Sequence, residues 1–554
     1  MIMSLNNHIA VVICQCRGRL TESINLEVLK NFAKECDGVA SVRIVDSLCT
    51  SPELLKFKQG HRLVVAGCTV RKHLNLFKQT LEKAGISSFL CEFVDLLNPL
   101  DSGQKTITEA TAYAKLIIKA HIKKLNKAPQ AVTIPNAGRV EKLLNAPREH
   151  VTRRGFLRLP LILTDTVSPI KEIPLIDQSR CIAPRSPCRE CVNLCPFEAL
   201  AFRNGQMMVR GIRCKSCGLC MVFCPSDAIR MPSFGYPQAL TLLEALADRH
   251  LPVGQRWLVF TCDLGRKKID QIGPEEERLP GNPLLVKVPC IASLSPAILL
   301  RSLMAGFDAV VPLCSDKDCP NRKTVEKWNS TLDSLCSVLK AWNIPLRLAT
   351  LILVRGKVVP TLLDTYENIL SEFGPAHLTG GPTSFSLHPR EDLIMAMSAI
   401  AEEKEIIDNI VGDLPLPFFD ITIDEAKCCM CGACVRQCPP KALMFGKGEE
   451  AQIVFSSSIC AGCGACASCC PENAISIHTD TNLSMIQKGA LSIKASSESA
   501  RCRNCGNIIG KKRLLEKVES RLRELGFDRL TEELYYCRDC KNMVTFQSED
   551  TTQG

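Results

Sequence analysis

The chain opens with short apolar runs that alternate with amphipathic stretches. Runs such as HIAVVIC and RLVVAG have the length of buried strands, and apolar residues recur at helical spacing between them. The pattern predicts strands over residues 8–14, 39–46, 62–67 and 87–93 and helices over 25–36 and 70–84. Residues 256–353 repeat it, with the apolar runs WLVFT, LLVKVP and DAVVPL. Because helices that join parallel strands cover both faces of a sheet, we expect two small α/β domains with parallel sheets.

Cysteines follow the predicted strands of both domains. In the first domain they are Cys14, Cys16, Cys49 and Cys68, and in the second they are Cys262, Cys290, Cys314 and Cys319. The carboxyl ends of parallel strands meet at one edge of the sheet, where α/β proteins bind ligands. We therefore expect each set to converge. Buried cysteines are also common as inert core residues, so simple packing is the alternative interpretation.

Cysteine is the residue that dominates the rest of the chain. The 554 residues include 33 cysteines, and 28 of them sort into seven groups of four. Two adjoining groups have the form C-x2-C-x2-C-x3-C-P: Cys428, Cys431, Cys434, Cys438 and Pro439, then Cys460, Cys463, Cys466, Cys470 and Pro471. Two residues between cysteines let a tight loop aim three thiolates at three irons, while the fourth thiolate comes from elsewhere. Disulfide scaffolds belong to short secreted chains, so these spacings favour metal ligands.

This spacing resembles that of bacterial two-cluster ferredoxins, in which the fourth cysteine of each run binds the other cluster. The resemblance implies two [4Fe–4S] clusters, one held by Cys428, Cys431, Cys434 and Cys470 and one by Cys460, Cys463, Cys466 and Cys438. An earlier pair of runs has the same form, except that six residues fill its first gap. It implies two more [4Fe–4S] clusters, one held by Cys181, Cys188, Cys191 and Cys224 and one by Cys214, Cys217, Cys220 and Cys195.

The carboxyl-terminal region contains two separated C-x2-C pairs, Cys502 with Cys505 and Cys537 with Cys540. They flank a charged helical stretch over residues 511–525. Two such pairs at a distance are typical of a zinc-ribbon-like module, and a single rubredoxin-like iron is the alternative. Five cysteines remain, for which packing is the expected role: Cys36, Cys91, Cys336, Cys429 and Cys469.

The charge of the chain changes once metal ligands are counted. The formal net charge is +10, but a cluster or zinc held by four thiolates carries about −2. Seven filled sites would bring the holoprotein to about −4, so nucleic-acid binding is not implied. No apolar run suits a membrane span, because Leu294–Leu313 is interrupted by Arg301 and Asp308. The amino terminus lacks the features of a signal peptide. We therefore expect a cytoplasmic protein of an anaerobic prokaryote.

The first domain is similar to the amino-terminal domain of the A subunit of heterodisulfide reductase. The segments CQCRGRL, DSLCTSP and VVAGCTVRKH carry the resemblance, which covers residues 8–125. It implies a further cluster, a [4Fe–4S] cluster, with ligands among Cys14, Cys16, Cys49 and Cys68. The flavin domain of that family is not expected here, because no G-x-G-x-x-G follows a predicted strand.

Residues 256–353 resemble the delta subunit of the methyl-viologen-reducing hydrogenase. The segments VFTCDLG, VKVPCIASLSP and AGFDAVVPLCSDKDCPNRK carry this resemblance. It implies a [2Fe–2S] cluster held by Cys262, Cys290, Cys314 and Cys319. A second cysteine that the family often has just after the first is absent from CDLGRK, but four thiolates remain, which is the number such a cluster needs.

Together these patterns predict a non-catalytic electron-transfer subunit of an anaerobic oxidoreductase complex. Electrons would pass between a hydrogenase- or formate-dehydrogenase-like donor and a flavoprotein or heterodisulfide-reductase-like partner, with the flavin supplied by the partner. No catalytic pair of residues is recognisable. Two alternatives stay open: a reductase acting on a small substrate at the amino-terminal site, and a redox-responsive scaffold.

The expected domain map combines α/β and α+β regions. It comprises an α/β domain (1–126), a linker (127–175), a two-cluster ferredoxin-like domain (176–235), a delta-subunit-like α/β domain (236–355), a linker or helical segment (356–420), a second two-cluster ferredoxin-like domain (421–478), a linker (479–500) and the zinc-ribbon-like module (501–545).

Overall fold

The structure, a computed structural model, has two compact units. Unit 1 comprises Met1–Ser179 and Glu190–Ile406, and unit 2 comprises Arg180–Arg189 and Ile407–Gly554. The residues that the structure describes are 9–55, 57, 62–67, 73–83, 86, 90–96, 106–128, 172–248, 256–269, 282–307, 309–314, 319–342, 344, 351–352, 386, 388–403, 418–446, 450–480 and 491–541.

Unit 1 begins with a four-stranded parallel sheet. Its elements are β1 (Ile9–Cys14), α1 (Leu26–Glu35), β2 (Val39–Val45), β3 (Arg62–Gly67), α2 (Leu74–Lys83), β4 (Cys91–Asp95) and α3 (Ile107–Asn126). The strand order is β2-β1-β3-β4. Every residue of the runs IAVVIC and RLVVAG is buried, as expected for inner strands covered on both faces. The predicted parallel sheet is confirmed, with its fourth strand running to residue 95.

A buried polar group ties α3 to this sheet. Glu92 of β4 accepts a hydrogen bond from the Lys124 ammonium at 2.8 Å and lies 2.7 Å from His121 Nδ1. Burial by itself would raise the pKa of Glu92, but Lys124 and His121 lower it to about 2. The carboxylate is therefore charged and paired where it lies, which fixes the long helix against the sheet.

The middle of unit 1 consists of short elements around cysteine loops. They are β5 (Leu175–Ile176), α4 (Glu190–Leu194), β6 (Leu200–Arg203), β7 (Gln206–Val209), α5 (Leu219–Val222), β8 (Ile229–Arg230) and α6 (Tyr236–Leu246). Two antiparallel pairs form, β5 with β8 and β6 with β7. The second pair turns at Asn204-Gly205, both at positive φ, which is the usual chemistry of a two-residue hairpin.

A second parallel sheet completes unit 1. Its elements are β9 (Arg256–Thr261), α7 (Asp263–Ile269), β10 (Asn282–Lys287), α8 (Pro296–Met304), β11 (Ala309–Cys314), α9 (Arg322–Ala341), β12 (Leu351–Ile352) and α10 (Pro389–Glu403). The strand order is β10-β9-β11-β12. In each sheet, the strand that comes first in the chain therefore lies between the strands that come second and third. In both sheets the order reverses at that strand, which puts a ligand crevice at its carboxyl end.

An ion pair at the centre of three helices joins α6, α8 and α10. Asp392 is fully buried and accepts two hydrogen bonds from Arg301, at 2.6 and 2.8 Å. The Tyr236 hydroxyl donates a third, at 2.6 Å. These contacts give the carboxylate the partners that a buried charge requires.

Unit 2 is built from small antiparallel sheets. Its elements are β13 (Phe418–Ile423), α11 (Ala433–Gln437), β14 (Leu443–Phe445), β15 (Ala451–Phe455), α12 (Ala465–Ser468), β16 (Ile475–Asp480), β17 (Ser492–Ser497), β18 (Ser499–Arg501), β19 (Ile508–Lys511), α13 (Lys512–Glu524) and α14 (Asp528–Glu533). The sheets are β13-β16, β14-β15-β17 and β18-β19. Strand β17 lies in the segment expected as a linker and pairs with β15.

No helix in the described parts of the chain combines the length and the apolar character that crossing a membrane requires.

Candidate metal centres

The four cysteines expected to bind one cluster are among the five that line a cavity of about 330 Å³ in unit 2. The four are Cys428, Cys431, Cys434 and Cys470. Three belong to the first cysteine run and the fourth to the second, so the structure brings together the crossed-over set expected from the sequence. The loop makes this approach through left-handed backbone at Met430 and Gly432. A side chain at Gly432 would also collide with the Phe445 ring.

The other four cysteines of these two runs also lie together. Burial raises the pKa of the Cys466 thiol to about 12, and the nearby Cys460, Cys438 and Cys463 add to the rise. The Gly462 amide donates to Cys460 Sγ at 3.4 Å. A thiol must lose its proton when it binds a metal, and soft sulfur donors select iron–sulfur clusters or zinc. Both donor sets of unit 2 therefore fit a metal cluster.

In unit 1, Cys195, Cys214, Cys217 and Cys220 line a cavity of about 410 Å³. Its other walls include Leu194, Phe197 and further apolar side chains. Burial raises the pKa of Cys220 well above its ordinary value, and Cys217, Cys191, Cys214 and Cys195 raise it further. This set too is the crossed-over one expected from the sequence.

The remaining set of the first pair divides between the two units. Cys181 and Cys188 belong to unit 2, whereas Cys191 and Cys224 belong to unit 1. Neither unit by itself brings these four cysteines together. Within unit 1, Cys224 Sγ accepts a hydrogen bond from the Ala228 amide at 3.3 Å, and the Cys191 thiolate is close enough to Cys220 to raise its pKa.

The second parallel sheet gathers its four cysteines at the carboxyl end of its strands. Cys262 follows β9, Cys314 ends β11, and Cys290 and Cys319 lie in the loops beyond β10 and β11. The side chain of Cys319 is hydrogen-bonded to Cys314 and raises its pKa, as does burial. Burial also raises the pKa of Cys290, with contributions from Cys262, Cys217 and Cys319. The four thiols fit the donor set of one cluster.

Two of these candidate sites in unit 1 are neighbours. Cys217, which lines the 410 Å³ cavity, is close enough to raise the pKa of Cys290. Next to it, Gly218 packs so tightly that an added Cβ would lie 2.6 Å from Ser293 Cβ. Two hydrogen bonds also join the second α/β region to the cysteine loops. Asn321, just before α9, donates to the Lys215 carbonyl at 3.3 Å, and Lys327 of α9 donates to the Leu194 carbonyl at 3.1 Å. The cysteine loop 214–220 therefore rests directly on the second α/β region.

At the amino-terminal sheet, Cys14 and Cys16 have their sulfur atoms 3.5 Å apart. The hydrogen bond from Cys16 is the largest of the effects that lower the pKa of Cys14 to about 6. The Leu48 amide also donates to Cys14 Sγ, at 3.4 Å, which brings the loop that contains Cys49 towards β1. Cys68 lies outside the described residues, so the structure gives no account of the complete set.

The four carboxyl-terminal cysteines converge on one point. The sulfur atoms of Cys502, Cys505, Cys537 and Cys540 lie within 4.8 Å of one another, with Cys505 and Cys537 at 3.6 Å. A tetrahedral zinc with bonds of about 2.3 Å places its sulfurs about 3.8 Å apart. The site therefore fits one four-coordinate ion. The helix predicted between the two pairs is present as α13.

Two residues near these sites have contacts that the sequence did not lead us to expect. Cys429 lines the same cavity as Cys428 and Cys431, although its expected role was packing. Lys511 of β19 donates a hydrogen bond to the Met430 carbonyl at 3.0 Å. Only the fold brings residue 511 to the loop at 430, so no local sequence pattern could reveal this contact.

Comparison with known proteins supports the two resemblances. Residues 258–374 match the family of the methyl-viologen-reducing hydrogenase delta subunit. This match confirms the resemblance predicted for the second α/β region. The resemblance to heterodisulfide reductase is confirmed by curated relatives, which are A subunits of that enzyme.

Three of these relatives show how far the similarity extends. An Archaeoglobus profundus protein described as similar to the A subunit of heterodisulfide reductase is 34% identical over 123 residues, which are 21% of this chain and 18% of the relative. The A subunit of the H2/formate:CoB-CoM heterodisulfide, ferredoxin reductase of Methanococcus maripaludis is 33% identical over 94 residues, 16% of this chain and 14% of the relative. Its H2-dependent counterpart in Methanothermobacter marburgensis is 23% identical over 327 residues, 50% of this chain and 49% of the relative. The chain thus spans at most about half of each of these relatives.

Proposed function

We propose that this chain is a multi-cluster iron–sulfur electron-transfer subunit of an oxidoreductase complex. The observation that carries the proposal is the cavity lined by Cys428, Cys431, Cys434 and Cys470. Two separate cysteine runs contribute to it in the crossed-over manner of two-cluster ferredoxins. Names of the relatives point the same way, since they describe subunits of heterodisulfide reductases.

The proposal assigns a metal group to each cysteine set. The four sets from the two pairs of runs would hold [4Fe–4S] clusters in two ferredoxin-like domains, the set at the second parallel sheet a [2Fe–2S] cluster, and the amino-terminal set a further [4Fe–4S] cluster. The carboxyl-terminal module would hold zinc. Such clusters carry one electron at a time.

The chain itself contributes to electron transfer by placing the cysteines of different candidate sites close together. Cys217 and Cys290 belong to neighbouring candidate sites, and Cys191 and Cys220 belong to two sites that adjoin in the same way. The apolar walls of the 410 Å³ cavity lower the polarity around the thiolates, and this environment, together with hydrogen bonds to sulfur, sets the reduction potential. Unit 1 therefore offers a short path from the second parallel sheet into the first ferredoxin-like region.

The proposed partners are redox proteins. A hydrogenase- or formate-dehydrogenase-like subunit would exchange electrons at the delta-subunit-like region. A flavoprotein or heterodisulfide-reductase-like subunit would exchange electrons at the opposite end of the series of clusters. We place the complex in the reducing cytoplasm of an anaerobic prokaryote, because a dense set of cysteines with metal-ligand spacing suits that environment.

Metal analysis of the anaerobically purified chain tests the proposal. Five [4Fe–4S] clusters and one [2Fe–2S] cluster would give about 22 irons per chain, with one zinc. A value near 16 would remove the cluster sites of both α/β domains and leave the ferredoxin-like ones. A folded chain that binds no iron under these conditions would overturn the proposal as a whole.

Co-purification addresses the partners. Native anaerobic isolation should recover a flavoprotein together with a hydrogenase-, formate-dehydrogenase- or heterodisulfide-reductase-like subunit. A chain that elutes alone, and whose reduced form is reoxidised by a small substrate, would instead favour a reductase.

A further inference from the structure

Lys511 joins the carboxyl-terminal four-cysteine module to the cysteine loop that begins at Cys428. It is the last residue of β19, whose partner strand β18 leads directly to Cys502. Its ammonium donates a hydrogen bond to the Met430 carbonyl at 3.0 Å. Met430 is fully buried and has a left-handed backbone conformation, so this carbonyl belongs to the tight turn between Cys428 and Cys431.

An aromatic ring holds the same ammonium from another side. Lys511 Nζ lies 3.5 Å from the centroid of the Phe445 ring, well within the range of a cation–π interaction. Phe445 in turn packs against Gly432, between Cys431 and Cys434. Lys511 is therefore fixed over the loop that carries Cys428, Cys431 and Cys434, which line the 330 Å³ cavity.

The charge of Lys511 acts on those thiols. Burial lowers the pKa of the Lys511 ammonium, while thiolates at Cys431, Cys434 and Cys428 act in the opposite direction. Attraction between the ammonium and a negatively charged cysteine set grows with each electron that the set's cluster accepts. A fixed positive charge at this position therefore favours the reduced form.

Further ion pairs attach the module to residues next to the two cysteine runs. Arg513 donates to the Glu425 carbonyl at 2.9 Å and pairs with its carboxylate at 3.2 Å. Lys517 pairs at 3.1 Å with Glu472, which also lines the cavity. Lys511, Arg513 and Lys517 of the module thus all contact residues at or next to this cavity.

We propose that Lys511 raises the reduction potential of the cluster held by Cys428, Cys431, Cys434 and Cys470, and that the four-cysteine module holds Lys511 in place for this purpose. This inference rests on the proposed function. It makes Lys511 a positioning and tuning residue, and it makes occupancy of the module by its metal a control on the cluster.

The test compares potentials in the full chain. Lys511→Met removes the charge and keeps most of the apolar stem, Lys511→Arg retains the charge, and Lys512→Met is the matched control. Lys512 is the next residue, but it is 51% exposed and pairs only with an exposed glutamate, so it contributes little. Each chain is reconstituted with iron and zinc and titrated anaerobically, with the clusters followed by electron paramagnetic resonance (EPR). The signal missing from a Cys431→Ala chain identifies the cluster in question.

We expect the potential of that cluster to shift to more negative values in Lys511→Met, to return towards the parent value in Lys511→Arg and to be unchanged in Lys512→Met. Cys505→Ser, which disrupts the four-cysteine site, should shift it in the same direction as Lys511→Met.

Equal potentials in Lys511→Met and the parent, with iron content intact, overturn the inference and leave the proposed function standing. A shift in Lys511→Met without one in Cys505→Ser overturns the role of the module. Absence of any cluster signal in the parent chain overturns the proposed function itself.

Discussion

At the scale of single residues, Gly218 is a position with little room for change. It has φ +76, and an added Cβ would lie 2.6 Å from Ser293 Cβ. We expect Gly218→Ala to destabilise unit 1 by roughly 2–4 kcal/mol, because backbone strain of about 1–2 kcal/mol adds to overpacking. Anaerobic urea unfolding, followed by the loss of cluster absorbance, measures the change.

Gly205→Ala provides the control for that substitution. Gly205 has nearly the same φ, +75, but nothing lies within 4 Å of the position of its Cβ. Only the strain, about 1–2 kcal/mol, should appear. Equal unfolding midpoints for the two variants would show that the contact between loop 214–220 and Ser293 is unimportant.

At the scale of elements, the three helices α6, α8 and α10 depend on one buried carboxylate. Asp392→Asn would leave the Arg301 guanidinium buried without its anion, and we expect a loss of roughly 3–5 kcal/mol. The control is Glu326→Gln, which breaks the exposed pair of Arg322 with Glu326 and should cost less than about 1 kcal/mol. Thermal unfolding of both variants measures the difference. Similar transition temperatures would contradict a central role for Asp392.

The elements also show what local sequence can and cannot predict. Runs such as IAVVIC are buried on both faces, so composition and length were enough to identify the strands of the parallel sheets. The hairpin at Asn204-Gly205 has an equally local cause. Strand β17 was missed because its pairing with β15 is non-local and its sequence, SIKASS, is polar. The contact of Lys511 with Met430 was beyond reach for the same reason.

At the scale of the whole molecule, cysteine spacing indicates which residues could share a site, but it does not indicate which sites adjoin. The crossed-over sets appear around two cavities, since the spacing itself dictates each loop. Nothing in either motif, however, indicates that Cys217 lies beside Cys290. That proximity arises from the packing of loop 214–220 against the second parallel sheet, and under the proposed function it would set the order in which electrons pass.

Magnetic interaction between the two sites would reveal this order. In the fully reduced chain, the EPR signal of the cluster at Cys262, Cys290, Cys314 and Cys319 should relax fast and be broadened, because a second unpaired spin lies close by. Cys214→Ser, which disturbs the neighbouring site, should restore a sharp and slowly relaxing signal. Cys36→Ser makes the same substitution at a cysteine outside every candidate set and should leave the broadening unchanged. A signal that is equally sharp in the parent and in Cys214→Ser would mean that electrons leave the second α/β region by a route other than Cys217.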